Sequence, residues 1–251
     1  MGRRIWLITG ASGGLGTALA RAVSATGDEV VAISRKSVDI TDPAQVRRAV
    51  SEAVAAFGRI DVVVNNAGYA APGAFEELSD SEMREQFEVN FFAAADVVRA
   101  TLPYLRAARS GHIVQISSLA GQIGAPGMSA YTASKHALEG LSVSLAEELA
   151  PFGIRVSIVE PGSISTGFRQ SWAGRERPGA IADYDDLAVR LDRLGRDARL
   201  PTEPEEVAAA IIALTDLPEP PLRLVVGEDA AAGIRAARTR QLADLETRWI
   251  A

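Results

Sequence analysis

Tyr131 and Lys135 stand four residues apart, near the start of a segment that reads as a helix. That spacing puts both side chains on one helix face, about one turn from each other. A phenol ordinarily titrates near 10, too high for proton traffic at neutral pH. A neighbouring ammonium favours the phenolate, and a shift of roughly 2–3 units corresponds to about 3–4 kcal/mol. We therefore expect Lys135 to depress the Tyr131 phenol. On spacing alone, an exposed helix pair explains Tyr-x-x-x-Lys equally well, so the surroundings decide. Ser117 and Ser118 end the apolar run Ile113-Val114-Gln115-Ile116, just upstream of Tyr131. A hydroxyl there can bond a carbonyl oxygen while the phenol delivers a proton to it. Asn90 sits among Val89, Phe91 and Phe92 in a long helical stretch, where its side chain either bonds the helix backbone or serves a site.

A second group of residues suits phosphate. Thr9-Gly10-Ala11-Ser12-Gly13-Gly14-Leu15-Gly16 lies between an apolar run and an amphipathic one. Glycines there permit a tight turn, close backbone approach to a pyrophosphate and close strand–helix packing, with free N–H groups at the helix start facing the anion. A plain strand–turn–helix also uses such glycines. Its position at the head of a βαβ unit favours a dinucleotide. The next strand ends Ala32-Ile33-Ser34-Arg35-Lys36, with cations where a carboxylate would read a free ribose hydroxyl. Arg35 therefore favours NADP(H) over NAD(H), unless Arg35 and Lys36 are merely solvated loop charges.

The elements that must position these residues alternate. Strands are expected at Ile5–Thr9, Glu29–Ser34, Asp61–Asn65, His112–Ser117, Arg155–Val159 and Leu222–Val226, and helices at Leu15–Thr26, Pro43–Phe57, Ser79–Arg109, Ser129–Ala150 and Pro204–Thr215. Val62-Val63-Val64 has no polar alternation, as in a parallel strand covered on both faces. Gly27, Gly58, Gly111 and Gly153 stand where C-terminal caps belong. The alternation argues for a doubly wound α/β sheet. We read 1–251 as a single domain, with Ser163–Leu200 an irregular lid or substrate loop and Asp229–Ala251 an amphipathic tail helix. Val38-Asp39-Ile40 follows the second strand too closely, since a parallel crossover needs about 10–12 residues or more. Either Val38–Ile40 is not a neighbouring strand, or the chain omits a segment between about Arg35 and Val38; we expect the omission.

Composition narrows the class. Apolar residues make up 47% of 251 and the formal net charge is −6, so the chain can bury a full core and is no general polyphosphate binder. We expect no nucleic-acid partner. There are no cysteines, which removes disulfides and thiolate chemistry and fits a cytoplasmic location. No apolar run approaches the roughly 20 residues that span a bilayer. We expect no membrane partner and no signal peptide. His112 reads as a residue at a strand's edge and His136 as turned off the catalytic face, so no metal site is expected.

Together, Thr9-Gly10-x-x-x-Gly14-x-Gly16, Asn65-Asn66-Ala67-Gly68, Asn90, Ser118 with Tyr131-x-x-x-Lys135, and Pro161-Gly162-x-x-x-Thr166 resemble the motifs of the short-chain dehydrogenases/reductases, in that family's order as far as about Thr166. The resemblance implies a Rossmann fold with a mostly parallel seven-stranded sheet and helices on both faces. It implies hydride transfer between a nicotinamide and a carbonyl or secondary alcohol. The implied tetrad is Asn90, Ser118, Tyr131 and Lys135, with Tyr131 as general acid in reduction and general base in oxidation. Lys135 and Tyr131 would also meet the nicotinamide ribose. Asp39 and Ile40 would contact the adenine, Asn65 the adenosine side, and Ile164 and Thr166 the carboxamide and phosphate end. The implied cradle also takes in Gly10, Ser12, Gly13, Gly14, Leu15, Gly16, Arg35, Ala67, Gly68 and Pro161. Homodimers or homotetramers are implied. Departures are the missing helix after the second strand, Gly13 where NADP-binding turns often carry a basic residue, and Gln115 where asparagine is frequent. The rival readings are an NAD-linked alcohol dehydrogenase with the same tetrad and a catalytically silent nucleotide sensor of the same fold.

Overall fold

The computed structural model describes residues 2–170, 172, 179–196 and 202–246. Six parallel strands form one sheet: β1 Ile5–Thr9, β2 Glu29–Ile33, β3 Val62–Asn65, β4 Gly111–Ile116, β5 Ile154–Pro161 and β6 Arg223–Val226. Their order is β2-β1-β3-β4-β5-β6. Strand periodicity sorts the side chains into two cores. Leu7, Val63 and Ile113 point to one face, and Trp6, Ile8, Val62, Val64 and Val114 to the other. Helices α2 (Pro43–Phe57), α4 (Ala93–Ala108) and α5 (Ser129–Leu149) cover the first face. Helices α1 (Gly14–Ala25) and α8 (Pro204–Asp216) cover the second. This is the doubly wound α/β fold read from the sequence.

Among the described residues the expected seventh strand is absent. After β2 the N–H groups of Ser37 and Val38 both donate to the Ser34 carbonyl at 2.9 Å, closing a turn that needs no further residues. The expected omission is therefore withdrawn, and Val38–Ile40 is not a strand. So few residues cannot cross over to lie beside β2. Instead α2 makes the crossover, from β2 past β1 to β3. Its start is set by Asp42, whose carboxylate accepts the N–H groups of Ala44 and Gln45, and its end by the left-handed Gly58. The chain order thus reverses between β1 and β3, which opens the crevice at the sheet's carboxyl rim.

The stretch read as one helix over Ser79–Arg109 is three segments. Helix α3 (Asp80–Phe87) starts on a capping box between Ser79 and Glu82, a π-turn spans Glu88–Phe92, and α4 follows. At its end Arg109, not Gly111, takes the left-handed position, with φ 52°. Among the described residues, the region after β5 is less irregular than expected. It holds the short helix α6 (Gly167–Gln170) and α7 (Asp185–Arg196), whose Leu191 is buried. The tail helix is α9, Glu228–Glu246; residues 247–251 lie outside the described residues. Among the described residues no helix is long and apolar enough to cross a membrane.

His112 is not at an edge in the packing sense, because it is fully buried in a central strand. Its Nε2 lies 3.0 Å from Ser157 Oγ, and that hydroxyl donates its one hydrogen to the Pro221 carbonyl at 2.9 Å. Nε2 must therefore carry the imidazole hydrogen. Burial first, then the charges of Arg155 and Arg4, pull His112 down to about 3. The folded value lies below the unfolded one, so this contribution is complete above about 6.5 and is lost as pH falls toward 3. Urea midpoints should drop across that window, and His112→Leu should flatten the drop by up to one proton, about 1.4 kcal/mol per pH unit. Identical pH slopes for the two proteins would contradict it.

Candidate active site

Four strands end at one rim, and each delivers a loop to it. After β1 the backbone turns at Gly10 (φ 69°) and again at Gly14 (φ 46°), conformations that favour glycine. A Cβ on Gly10 would lie 2.8 Å from Ala67 Cα. One on Gly16 would run into the Gly10 carbonyl. The turn is thus pressed against the loop after β3. Helix α1 begins with no side-chain cap, its N-cap being Gly13, and around Gly13 the space is open. Gly14 faces the Thr166 side chain, where a Cβ would come within 3.2 Å. Uncapped N–H groups beside open space, with Thr166 opposite, fit the pyrophosphate of a dinucleotide.

The tetrad residues converge at the same rim. Tyr131 and Lys135 share the inner face of α5 and are both buried. The Lys135 ammonium donates to the Ile116 carbonyl at 2.7 Å and lies 5.8 Å from the centre of the Tyr131 ring. Ser118 caps the turn Leu119–Gly121 through the Ala120 N–H at 3.1 Å, and it is hydrogen-bonded to the Tyr131 hydroxyl. Ser117 faces inward, away from this bond, its hydroxyl buried. Asn90 does not bond its own helix. Its Nδ2 donates to the Tyr69 carbonyl at 3.0 Å and to Ser134 Oγ at 3.2 Å, and its Oδ1 accepts from the Tyr69 N–H at 3.1 Å. The π-turn is what turns Asn90 inward, as such turns often do at functional sites. Gly68 fits between Asn90 and Lys135, where a Cβ would lie 3.2 Å from Asn90 Oδ1 and 3.7 Å from Lys135 Nζ.

The electrostatics differ from the sequence-based expectation. Burial pushes the Tyr131 phenol above its usual 10, and the Ser118 hydrogen bond offsets only part of this. Burial also pulls Lys135 down to about 8, against the opposing charge of Glu139. In the free protein, desolvation therefore outweighs the attraction between ammonium and phenolate. A phenol held protonated is an acid rather than a base.

The other expected residues distribute unevenly. Arg35 and Lys36 stand exposed on the tight turn after β2, at the open end of the crevice. Ser12 is exposed on the glycine turn and Leu15 is buried beneath it. Asp39 is occupied locally, its carboxylate accepting the Thr41 N–H and hydroxyl at 2.9 and 2.7 Å. The Ile40 side chain belongs to the core, which leaves its backbone for any adenine contact. Asn65 points away from the crevice and donates to the Ala94 carbonyl at 3.2 Å. Pro161 ends β5, and Ile164 bridges to Thr202. His136 is exposed, with Nδ1 3.0 Å from the Thr132 carbonyl.

Two residues matter more than the motif reading allowed. Thr9 Oγ1 accepts the N–H groups of both Asn66 and Ala67, at 3.0 and 3.1 Å. Asn66 Nδ2 returns bonds to the carbonyls of Thr9 and Gly10 at 2.9 and 3.3 Å. Together they lock the glycine turn to the loop after β3. On the far side of Tyr131 is an apolar wall of Ala70, Met128 and Leu191, with Phe168 and Trp172 packed on it. The Phe168 ring centre lies 5.7 Å from that of Tyr131.

Comparison with known proteins agrees with this architecture. Residues 36–177 match the family model of the short chain dehydrogenases. An oxidoreductase of Botryotinia fuckeliana is 40% identical over 250 residues, covering 90% of each chain. A 3-ketodihydrosphingosine reductase of Bacteroides thetaiotaomicron is 39% identical over 236 residues, covering 89% of this chain and 88% of its own. The crystal structure of a short-chain dehydrogenase from Streptomyces avermitilis superimposes with a TM-score of 0.88 at 37% identity, covering 97% of this chain and 96% of the other. The chain belongs to the short-chain dehydrogenase/reductase family. It is an oxidoreductase of that family with a Rossmann-type fold.

Proposed function

We propose that the protein is an NADP(H)-dependent reductase of carbonyl compounds, with the reverse oxidation of secondary alcohols as its other direction. The observation that carries this reading is the buried Tyr131–Lys135 pair, with half-buried Ser118 beside it, opening on the same rim as the uncapped glycine turn. The glycine turn and the α1 N-terminus would hold the pyrophosphate, Thr166 would close over it, and Arg35 would meet the 2′-phosphate. The nicotinamide, when bound, supplies hydride chemistry. Ser118 and Tyr131 bond the substrate's carbonyl oxygen as negative charge grows on it, a preorganised stabilisation. Tyr131 then gives that oxygen its proton. Lys135 holds a positive charge beneath the phenol, and Asn90 fixes the Tyr69 segment and Ser134 around it.

The raised Tyr131 value suits reduction, because the acid must be protonated before it can donate. The apolar wall of Ala70, Met128, Leu191, Phe168 and Trp172 suits a substrate with an apolar body. We read the described residues of 163–200 as the lid over that wall, within one domain; 171, 173–178 and 197–200 lie outside the described residues. A cytoplasmic homodimer or homotetramer is the expected form.

Tyr131→Phe removes the acid and keeps the packing. Turnover of NADPH with a responsive ketone should fall roughly 10²–10⁴-fold while NADPH binding by fluorescence stays near wild type. Near-normal turnover in the variant would refute the mechanism. Arg35→Ala should weaken NADPH roughly 10–100-fold and leave NADH almost unchanged; equal losses would contradict a phosphate role. Reduction needs a protonated Tyr131 and a charged Lys135. Lys135 is charged below about 8, so the rate should hold level below that value and decline above it. A rate that climbs through the same range would contradict the assignment.

A further inference from the structure

One turn beyond Lys135, α5 buries a second charged residue, Glu139, and β5 buries Glu160 beside it; they are 5% and 1% exposed. Carboxyls this deep need partners. Gln122 donates from Nε2 to Glu139 Oε2 at 3.1 Å and to Glu160 Oε1 at 2.7 Å. Arg223 of β6 reaches the same two oxygens from Nε, at 3.1 and 3.3 Å. Arg238 of α9 donates to Gln122 Oε1, which fixes the orientation of that amide. A loop, two strands and two helices therefore meet at one pair of carboxyls. Nothing in the reaction described above uses them.

The pair lies directly behind the catalytic loop. Ser118 opens the turn Leu119–Gly121, and Gln122 follows it. A Cβ on Gly121 would lie 3.0 Å from Glu139 Cγ and 3.1 Å from its Oε1, and would collide with Ser117 Oγ. The Ser118 turn thus rests on Glu139. Along α5, residues four apart are neighbours, so the Glu139 carboxylate and the Lys135 ammonium share one buried face.

We propose that Glu139 is a positioning residue for this reaction: held by Gln122 and Arg223, its carboxylate sets a buried negative charge one helical turn from Lys135 and fixes the Ser118 turn to the helix that carries Tyr131. This rests on the reading of Tyr131 and Lys135 as the catalytic pair.

The charge balance supports it. Burial raises Glu160, and the charge of Glu139 raises it further. Glu160 is thereby held near 7, well above the usual carboxyl range. Lys135 is pulled down by burial, and Glu139 is what opposes this. The groups facing Lys135 are Tyr131 and, one turn on, Glu139 on its own helix, Asn90 across Gly68 and the Ile116 carbonyl. Those facing Glu139 are Glu160, Gln122, Arg223 and, across Gly121, Ser117.

The chain has two lysines, Lys36 and Lys135, so ¹³Cε-lysine labelling of the whole protein gives two resonances, with Lys36→Arg assigning them. The wild-type Lys135 signal should titrate near 8 and show a second, smaller step as Glu160 titrates near 7. In Glu139→Gln the Lys135 midpoint should fall by about one pH unit, and the alkaline limb of NADPH-dependent phenanthrenequinone reduction should fall with it. In Glu160→Gln the midpoint should stay within a few tenths. A Lys135 midpoint unmoved in folded Glu139→Gln overturns the proposal. So does a wild-type curve without the second step, which needs no variant to fold. Tyr131→Phe separates the two claims. Turnover that depends on Tyr131 with an unmoved Lys135 sinks this inference alone, whereas a moved Lys135 with turnover indifferent to Tyr131 sinks the catalytic reading alone.

Discussion

A lysine ammonium taken out of water beside a buried phenol is the constraint around which the rest of this protein is arranged. Burial of an unpaired charge costs several kcal/mol even after relaxation. The fold meets that cost with the Ile116 carbonyl at 2.7 Å and with a carboxylate one helical turn away. What remains of the penalty draws Lys135 down to about 8 and pushes the Tyr131 phenol above its usual range. A site built this way is ready to give a proton and reluctant to take one.

The parallel sheet makes the constraint affordable, because it brings separate loops to one edge without any loop having to be long. The glycine turn, the Asn65–Gly68 loop, Ser118 and Pro161 stand at the carboxyl ends of four different strands, along one rim. Contact between the turns is close enough that Gly10 and Gly16 have no room for a side chain. Thr9 and Asn66 add a crossed set of hydrogen bonds that fixes the spacing. Losing the strand beyond β2 leaves this untouched, since the crevice lies between β1 and β3. It does leave β2 as an edge and brings the turn carrying Arg35 and Lys36 to the surface.

Periodicity carried most of the fold. The valine run Val62–Val64 announced a strand covered on both faces, and α2 begins and ends where Pro43, Phe57 and Gly58 placed it. The short gap after Ser34 was legible as a conflict, but not its resolution: a tight turn and a lost strand read the same in sequence as an omitted segment. Of the site, the spacing of Tyr131, Lys135 and Ser118 was open to reading. The π-turn at Glu88–Phe92 was not, because it is set by tertiary bonds from Asn90 to Tyr69 and Ser134 rather than by local propensity. The direction of the Tyr131 shift was also hidden, since burial depth is a property of packing. Nothing in the sequence singles out Glu139 and Glu160, because their burial is made by β5, β6 and α9 packing around them.

The most direct test is a crystal structure of the protein grown with NADP⁺. The account predicts the pyrophosphate over Gly13 and the α1 N-terminus, the 2′-phosphate at Arg35, and the nicotinamide ribose on Tyr131 and Lys135. Density that leaves this rim empty or places the dinucleotide elsewhere, or a Tyr131 hydroxyl turned away from the crevice, would contradict it.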